Sequence, residues 1–163
     1  MRKKFQRGTT AVEMAIVFLP LMLTILSTLE LGRAAWTYHM LHSALKSGLR
    51  YAVVHGEDCI QVAASCQASI SNLATIIRRS SVGLDGDRLQ LTFTAGGNST
   101  TCSSLPLCMA NGDQWPPAAA NTPGQMVSIT GVYQFRSVLS GFWPGQNNGN
   151  ITYVGKAAES ILF

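Results

Sequence analysis

Four cysteines, three histidines and one glutamate inside an apolar run are the side chains of this 163-residue sequence whose types and spacing bear on chemistry. Cys59, Cys66, Cys102 and Cys108 form an even set beyond the apolar N-terminal run, and in a domain facing an oxidising compartment such a set reads as two disulfides. Three connectivities are open. Nearest-neighbour pairing, Cys59 with Cys66 and Cys102 with Cys108, is favoured; it closes loops of about eight and seven residues, each worth on the order of 2.5 kcal/mol in the chain-entropy model. Zinc is the rival, but no C-x-x-C clamp is present and no histidine lies near the second pair. His39 and His42, with His55 beyond, invite a metal reading too, yet Lys46 and Arg50 share their helical stripe and would repel a cation, so this stripe is read as a solvated face. Asp85-Gly86-Asp87 is a turn signature without the further ligands of a calcium loop. G-x-S-x-G, G-x-x-x-x-G-K-[ST] and H-E-x-x-H do not occur. The residues therefore support no enzyme activity, catalytic site, metal or cofactor.

Glu13 is the unusual residue, because it heads an apolar stretch and a charge within a bilayer costs at least ~2.5 kcal/mol on insertion scales for comparable residues. Met14 to Leu29 carries no charge, and with Ala11, Val12 and Leu31 the stretch approaches the roughly 20 residues that a helix needs to cross a membrane. Arg2, Lys3, Lys4 and Arg7 precede it and only Arg33 follows closely, which puts the N-terminus in the cytoplasm and the rest outside, the periplasm in a bacterium. Pro20 marks a bend or a packing site, since it offers no N–H to the Ile16 carbonyl. The helical period continues beyond the membrane, with Leu41, Ala44, Leu45, Gly48 and Ala52 on one stripe, so the helix is expected to reach about Val54. Its distal half then has to pack on a folded domain or on other helices. Trp36 and Tyr38 fall where it leaves the lipid.

Gly8 is followed by Thr9-Thr10-Ala11-Val12-Glu13, so a cut after Gly8 would leave the glutamate fifth in the mature chain. This arrangement resembles a type IV prepilin site. Over Ala11-Val12-Glu13-Met14-Ala15, Pro20 and Glu30-Leu31-Gly32-Arg33, through Tyr51-Ala52, the chain resembles the TadE-like family, pseudopilins of the tight-adherence (Flp) branch of type IV pili. The resemblance implies a leader over residues 1–8 removed by a prepilin peptidase between Gly8 and Thr9, and pairing of Glu13 with the Thr9 amine of a neighbouring subunit. Two groups each costly alone in lipid become acceptable when paired. Glu30 is either a helix-exit residue at the outer headgroups or an intersubunit contact, the latter favoured slightly. A secretory signal peptide fits less well: the run exceeds the usual length of its apolar region, Glu13 sits at its start, and no clear A-x-A signal precedes Trp36.

The expected organisation is thus a leader at 1–8, a transmembrane and stem helix at 9–55, and a periplasmic domain at 56–163. Within that domain Ala68 to Arg79 reads as a second helix, with Ile70, Leu73, Ala74 and Ile77 on one face and Arg78-Arg79 at its end. Leu89, Leu91 and Phe93 alternate with polar residues, as do Val127, Ile129, Gly131, Tyr133 and Phe135, and Ile151 to Leu162 offers a third, less regular strand. The fold class is α+β: a long pilin-like stem, a second short helix and a small, mainly antiparallel sheet. Gly96 to Thr100, Ala110 to Gly124 and Gly141 to Asn150 read as long loops.

Composition narrows the function. Only 12% of residues are charged, about half the usual share, while 47% are hydrophobic. Four of the 12 basic residues lie in the first seven positions, so the remainder balances at 8 against 8 and offers no basic stripe for nucleic acid. The sequence, taken with the resemblance, leads to an assembly component of a Tad pilus, a minor pilin or pseudopilin held in the inner membrane and needed for pilus biogenesis and adherence. Its partners would be other pilin and pseudopilin subunits, the prepilin peptidase and the Tad secretion machinery. The alternative is an uncleaved single-pass anchor carrying a periplasmic binding module that does not polymerise.

Overall fold

The computed structural model describes residues 6–55, 66–138 and 150–162. Helix α1 runs unbroken over Gln6–Val54 with Pro20 inside it, and its 49 residues rise about 73 Å, well over twice a bilayer core. Residues 10–26 are exposed on every side of the helix. From Leu41 onward a buried stripe develops, in which Leu41, Ala44, Leu45, Leu49, Ala52 and Val53 are closed off from solvent. One helix therefore has two halves of different character, the first apolar all round and the second amphipathic.

Helix α2 (Ile70–Ser80) starts where Ser69, in an extended conformation, accepts the Asn72 N–H on its side chain, and Arg78 and Arg79 close its last turn. Its buried face is Ile70, Leu73, Ala74 and Ile77. Strands β1 (Leu89–Ala95), β2 (Asn98–Cys102), β3 (Met126–Arg136) and β4 (Asn150–Ser160) form one antiparallel sheet in the order β2-β1-β3-β4. Alternation along β1 and β3, interrupted at buried Ser128, puts Leu91, Phe93, Ile129, Tyr133 and Phe135 on the face that meets the helices, leaving Gln90 and Gln134 in solvent.

Two of the stretches read as loops are more ordered than that. Gly96 and Gly97 have φ of 57° and 82° and form a two-residue turn between Ala95 and its partner Asn98, so the segment after them is strand β2. Both central positions require positive φ, which glycine adopts without penalty. The 110–124 stretch is laid onto the core: Ser69 bridges to Gln114, a 3₁₀ turn covers Ala118–Ala120, and buried Trp115 meets Phe93 edge-on at 5.4 Å between ring centroids. The short helix α3 (Leu105–Ala110) buries Leu105 and Cys108. The third loop falls mostly on 139–149, outside the described residues.

α1 lies antiparallel to β3. Arg33 meets Arg136, Leu41 and Leu45 sit over Gly131, and Gly48 approaches Ile129. The seat for the helix is a glycine pair, Gly131 opposite Gly155 in the β3–β4 register. A Cβ on either would come within 3.0 Å of a Leu45 methyl, closer than side chains tolerate without moving. On the opposite flank, a Cβ at Gly48 would meet Ile77 of α2 at 2.8 Å. The sheet end containing Arg136, Asn150 and Leu89 consequently lies beside the middle of α1, where its apolar half stops.

Candidate functional site

Three groups of residues bear on function: the start of α1, its apolar half, and the place where that half meets the sheet. Gly8 and Thr9 fall within α1, which begins at Gln6, and Glu13 follows one turn later on the exposed part of the helix. From Val12 to Leu31 the large apolar side chains stand 37–71% exposed, a surface that no other described part of the chain covers. This helix is long and apolar enough to cross a membrane. Two hydroxyls inside it are satisfied locally, Thr24 donating to the Leu21 carbonyl at 2.7 Å and Thr28 to the Thr24 carbonyl at 2.8 Å, which suits an environment without water.

At the end of the apolar half, Glu30 and Arg33 join the helix to the sheet. One Glu30 carboxylate oxygen accepts from the Arg33 guanidinium at 3.0 Å and from the Val138 backbone N–H at 2.9 Å. Arg33 also donates to the Arg136 carbonyl at 2.7 Å and lies over the Phe135 ring, 4.8 Å from its centroid. The two side chains thus grip both the N–H and the C=O side of the chain leaving β3. Glu30 thus also makes a contact within the chain, at the point where the apolar half of α1 ends. Tyr153 completes the cluster, its ring 5.7 Å from Phe135 and 5.9 Å from Tyr38. Burial, with Glu30 nearby as a lesser cause, pushes the Tyr153 phenol above its ordinary pKa.

The histidine stripe divides. His39, Lys46 and Arg50 face solvent, whereas His42 is half-buried with its ring 4.5 Å from Tyr38 and packed beside Gly155, and its Nε2 has no hydrogen-bond partner among the described residues. The reading of His42 as part of a solvated face is corrected: β4 covers that side of the helix, which a helical period alone cannot show. His55 stacks on Tyr51 and shares a 2.7 Å hydrogen bond with its carbonyl. Among the described residues no three histidine, cysteine, aspartate or glutamate side chains are grouped to hold a metal. Asp85 accepts the Asp87 N–H at 3.2 Å and pairs with Arg88 at 3.2 Å, an ordinary turn.

Cys102, the last residue of β2, is disulfide-bonded to Cys108 of α3 with Cα atoms 5.4 Å apart. Cys66 is disulfide-bonded as well, and its expected partner Cys59 lies outside the described residues. The long-range grip of Arg33, and the part played by Phe135, Val138 and Tyr153, escaped the sequence reading. Only the spacing of Glu30 and Arg33, one helical turn apart, hinted at a pair.

Together these features define a class: a single-helix stem, apolar enough for a membrane along its first half, carrying a disulfide-bonded α+β head on its second. Residues 8–50 match the model of a family described as TadE-like protein, so this N-terminal segment is similar to that family, in agreement with the resemblance. The match begins at Gly8, includes Glu13, Pro20, Glu30 and Arg33, and ends before α2 and the sheet. No curated protein and no solved structure matches the chain significantly.

Proposed function

We propose that this protein is an assembly component of a bacterial Tad (Flp) type IV pilus, a minor pilin or pseudopilin that α1 holds in the inner membrane with its head in the periplasm. The observation that carries the reading is the coincidence of three features on one helix: the family match starting at Gly8, Glu13 at the head of the apolar half, and exposure of that half on all sides. An apolar helix face that no other described part of the chain covers calls for lipid or the same helix of neighbouring subunits. In the proposed sequence of events the chain inserts with residues 1–8 in the cytoplasm, a prepilin peptidase cuts between Gly8 and Thr9, and the new Thr9 amine pairs with Glu13 of a neighbour.

Processing tests the reading directly. Intact mass of the membrane-extracted protein from cells with an active prepilin peptidase should correspond to a chain beginning at Thr9. A chain retaining Met1 under those conditions would contradict it, and would favour an uncleaved anchor carrying a non-polymerising binding module.

A further inference from the structure

The sheet end gripped by Glu30 and Arg33 carries two arginines and two side-chain amides. On its outer face, Arg88, Gln134, Arg136 and Asn150 line a shallow cleft at the start of β1, the end of β3 and the start of β4. Arg136 lies opposite Asn150 in register, and Arg88 precedes Leu89, which lies opposite Tyr133, so the four are cross-strand neighbours. Every side chain lining the cleft carries N–H donors and none is a carboxylate. Asp85 engages Arg88 at Nε, leaving the terminal nitrogens for another acceptor, and Arg136 has no carboxylate partner among the described residues. Beside the cleft Val138 is 74% exposed.

Its height relative to the bilayer follows from hydrogen bonds already described. Ala11 to Leu31 rises about 31 Å, one hydrocarbon thickness, so Arg33 stands at headgroup level. The Arg136 carbonyl is 2.7 Å from Arg33, and the Val138 N–H is 2.9 Å from Glu30. Arg88 is set back from Arg136 by about two strand residues, roughly 7 Å, within the depth of the headgroup layer and the reach of a guanidinium.

We propose that this end of the sheet is a docking surface for the phosphate headgroups of anionic phospholipids in the membrane that α1 spans, with Arg88 and Arg136 binding phosphate and Val138 entering the apolar boundary. The proposal rests on the anchoring reading of α1. Docking at a second place besides the helix fixes the tilt of the head over the bilayer, and thereby the direction in which its outer face meets other subunits.

The test uses the full oxidised chain in nanodiscs with a nitroxide on Val138→Cys, its depth measured by power saturation with oxygen and a water-soluble nickel complex. In bilayers containing phosphatidylglycerol the label should sit at the boundary between headgroups and acyl chains, and in pure phosphatidylcholine it should move outward as the head and α1 tilt together. Arg88→Gln with Arg136→Gln should lower the docked-to-undocked ratio roughly 30-fold in the anionic bilayer, at about fivefold per basic residue. Equal depth in both lipids, or no change in the double variant, would overturn the docking surface. A second label on Leu21→Cys reports anchoring separately: it should remain in the hydrocarbon throughout, and a water-exposed Leu21 label would overturn the anchoring reading and the docking surface with it.

Discussion

Arg33 and Glu30 show how much positional information two side chains one helical turn apart can carry. Each makes a short contact to its neighbour and a long-range contact to the backbone leaving β3, across 103 and 108 residues of sequence. The Tyr153 phenol registers this junction. Burial first, and the Glu30 carboxylate second, disfavour the phenolate and raise its pKa above the ordinary 10.0. For a group raised in the folded state, the stabilisation is fully present below the unfolded value and is lost as pH climbs through the folded one. Stability should therefore hold up to about pH 10 and decline above it. Alkaline ultraviolet titration of the head should show a late-ionising tyrosine that disappears in Tyr153→Phe and shifts downward in Glu30→Gln; a Glu30→Gln trace identical to the wild type would disconnect the two residues. None of this was legible in the sequence, because local periodicity assigns faces of an element and says nothing of which distant backbone a carboxylate reaches. Glu13, by contrast, was conspicuous from its neighbours alone, a charge at the head of an apolar run.

Elements followed their hydrophobic periods closely wherever a period existed. The stripe Leu41, Ala44, Leu45, Gly48 and Ala52 is the buried stripe of α1, and Ile70, Leu73, Ala74 and Ile77 are the buried face of α2. Strand β2 was missed because Asn98-Ser99-Thr100-Thr101-Cys102 is an edge strand that buries Cys102 alone and has no apolar alternation to read, even though its two-glycine turn was in plain sight. Helix α3 spans only Leu105–Ala110, too short for a 3.6-residue period to repeat, and is held at Cys108 by the disulfide. Replacing Cys102 and Cys108 together by serine should lower head stability by about 2.5 kcal/mol in denaturant unfolding, the loop-closure value for so short a loop, and an unchanged midpoint would rule that contribution out. The contact between α1 and the sheet makes a second demand. Gly131→Leu would drive its side chain into Leu41 and Leu45, where a bare Cβ already meets methyl groups at 3.0–3.2 Å. Overpacking of this kind should cost about 1–3 kcal/mol, read as a lower thermal midpoint. A neutral result would mean that α1 can lift away from the sheet without loss.

Over the whole molecule, the same helix serves two environments. Its first half is exposed and apolar on all sides, and its second half is the spine on which α2 and the sheet close a core that includes Phe93, Leu45 and Ile129. Among the described residues the core of the head includes none before Ala34, which leaves the first half, in the proposed function, for lipid and for neighbouring subunits. In the proposed function Glu13 is the residue that separates an assembly subunit from a mere anchor, since an anchor would gain nothing from a carboxylate at that depth. Glu13→Ala should leave insertion and head folding intact, because the helix loses only a charge that lipid disfavours. The decisive measurement is a paired one in a strain carrying Glu13→Ala as its only copy: membrane abundance of the protein and surface piliation. Normal abundance with piliation lost is the expected result, whereas normal abundance with normal piliation would contradict the account.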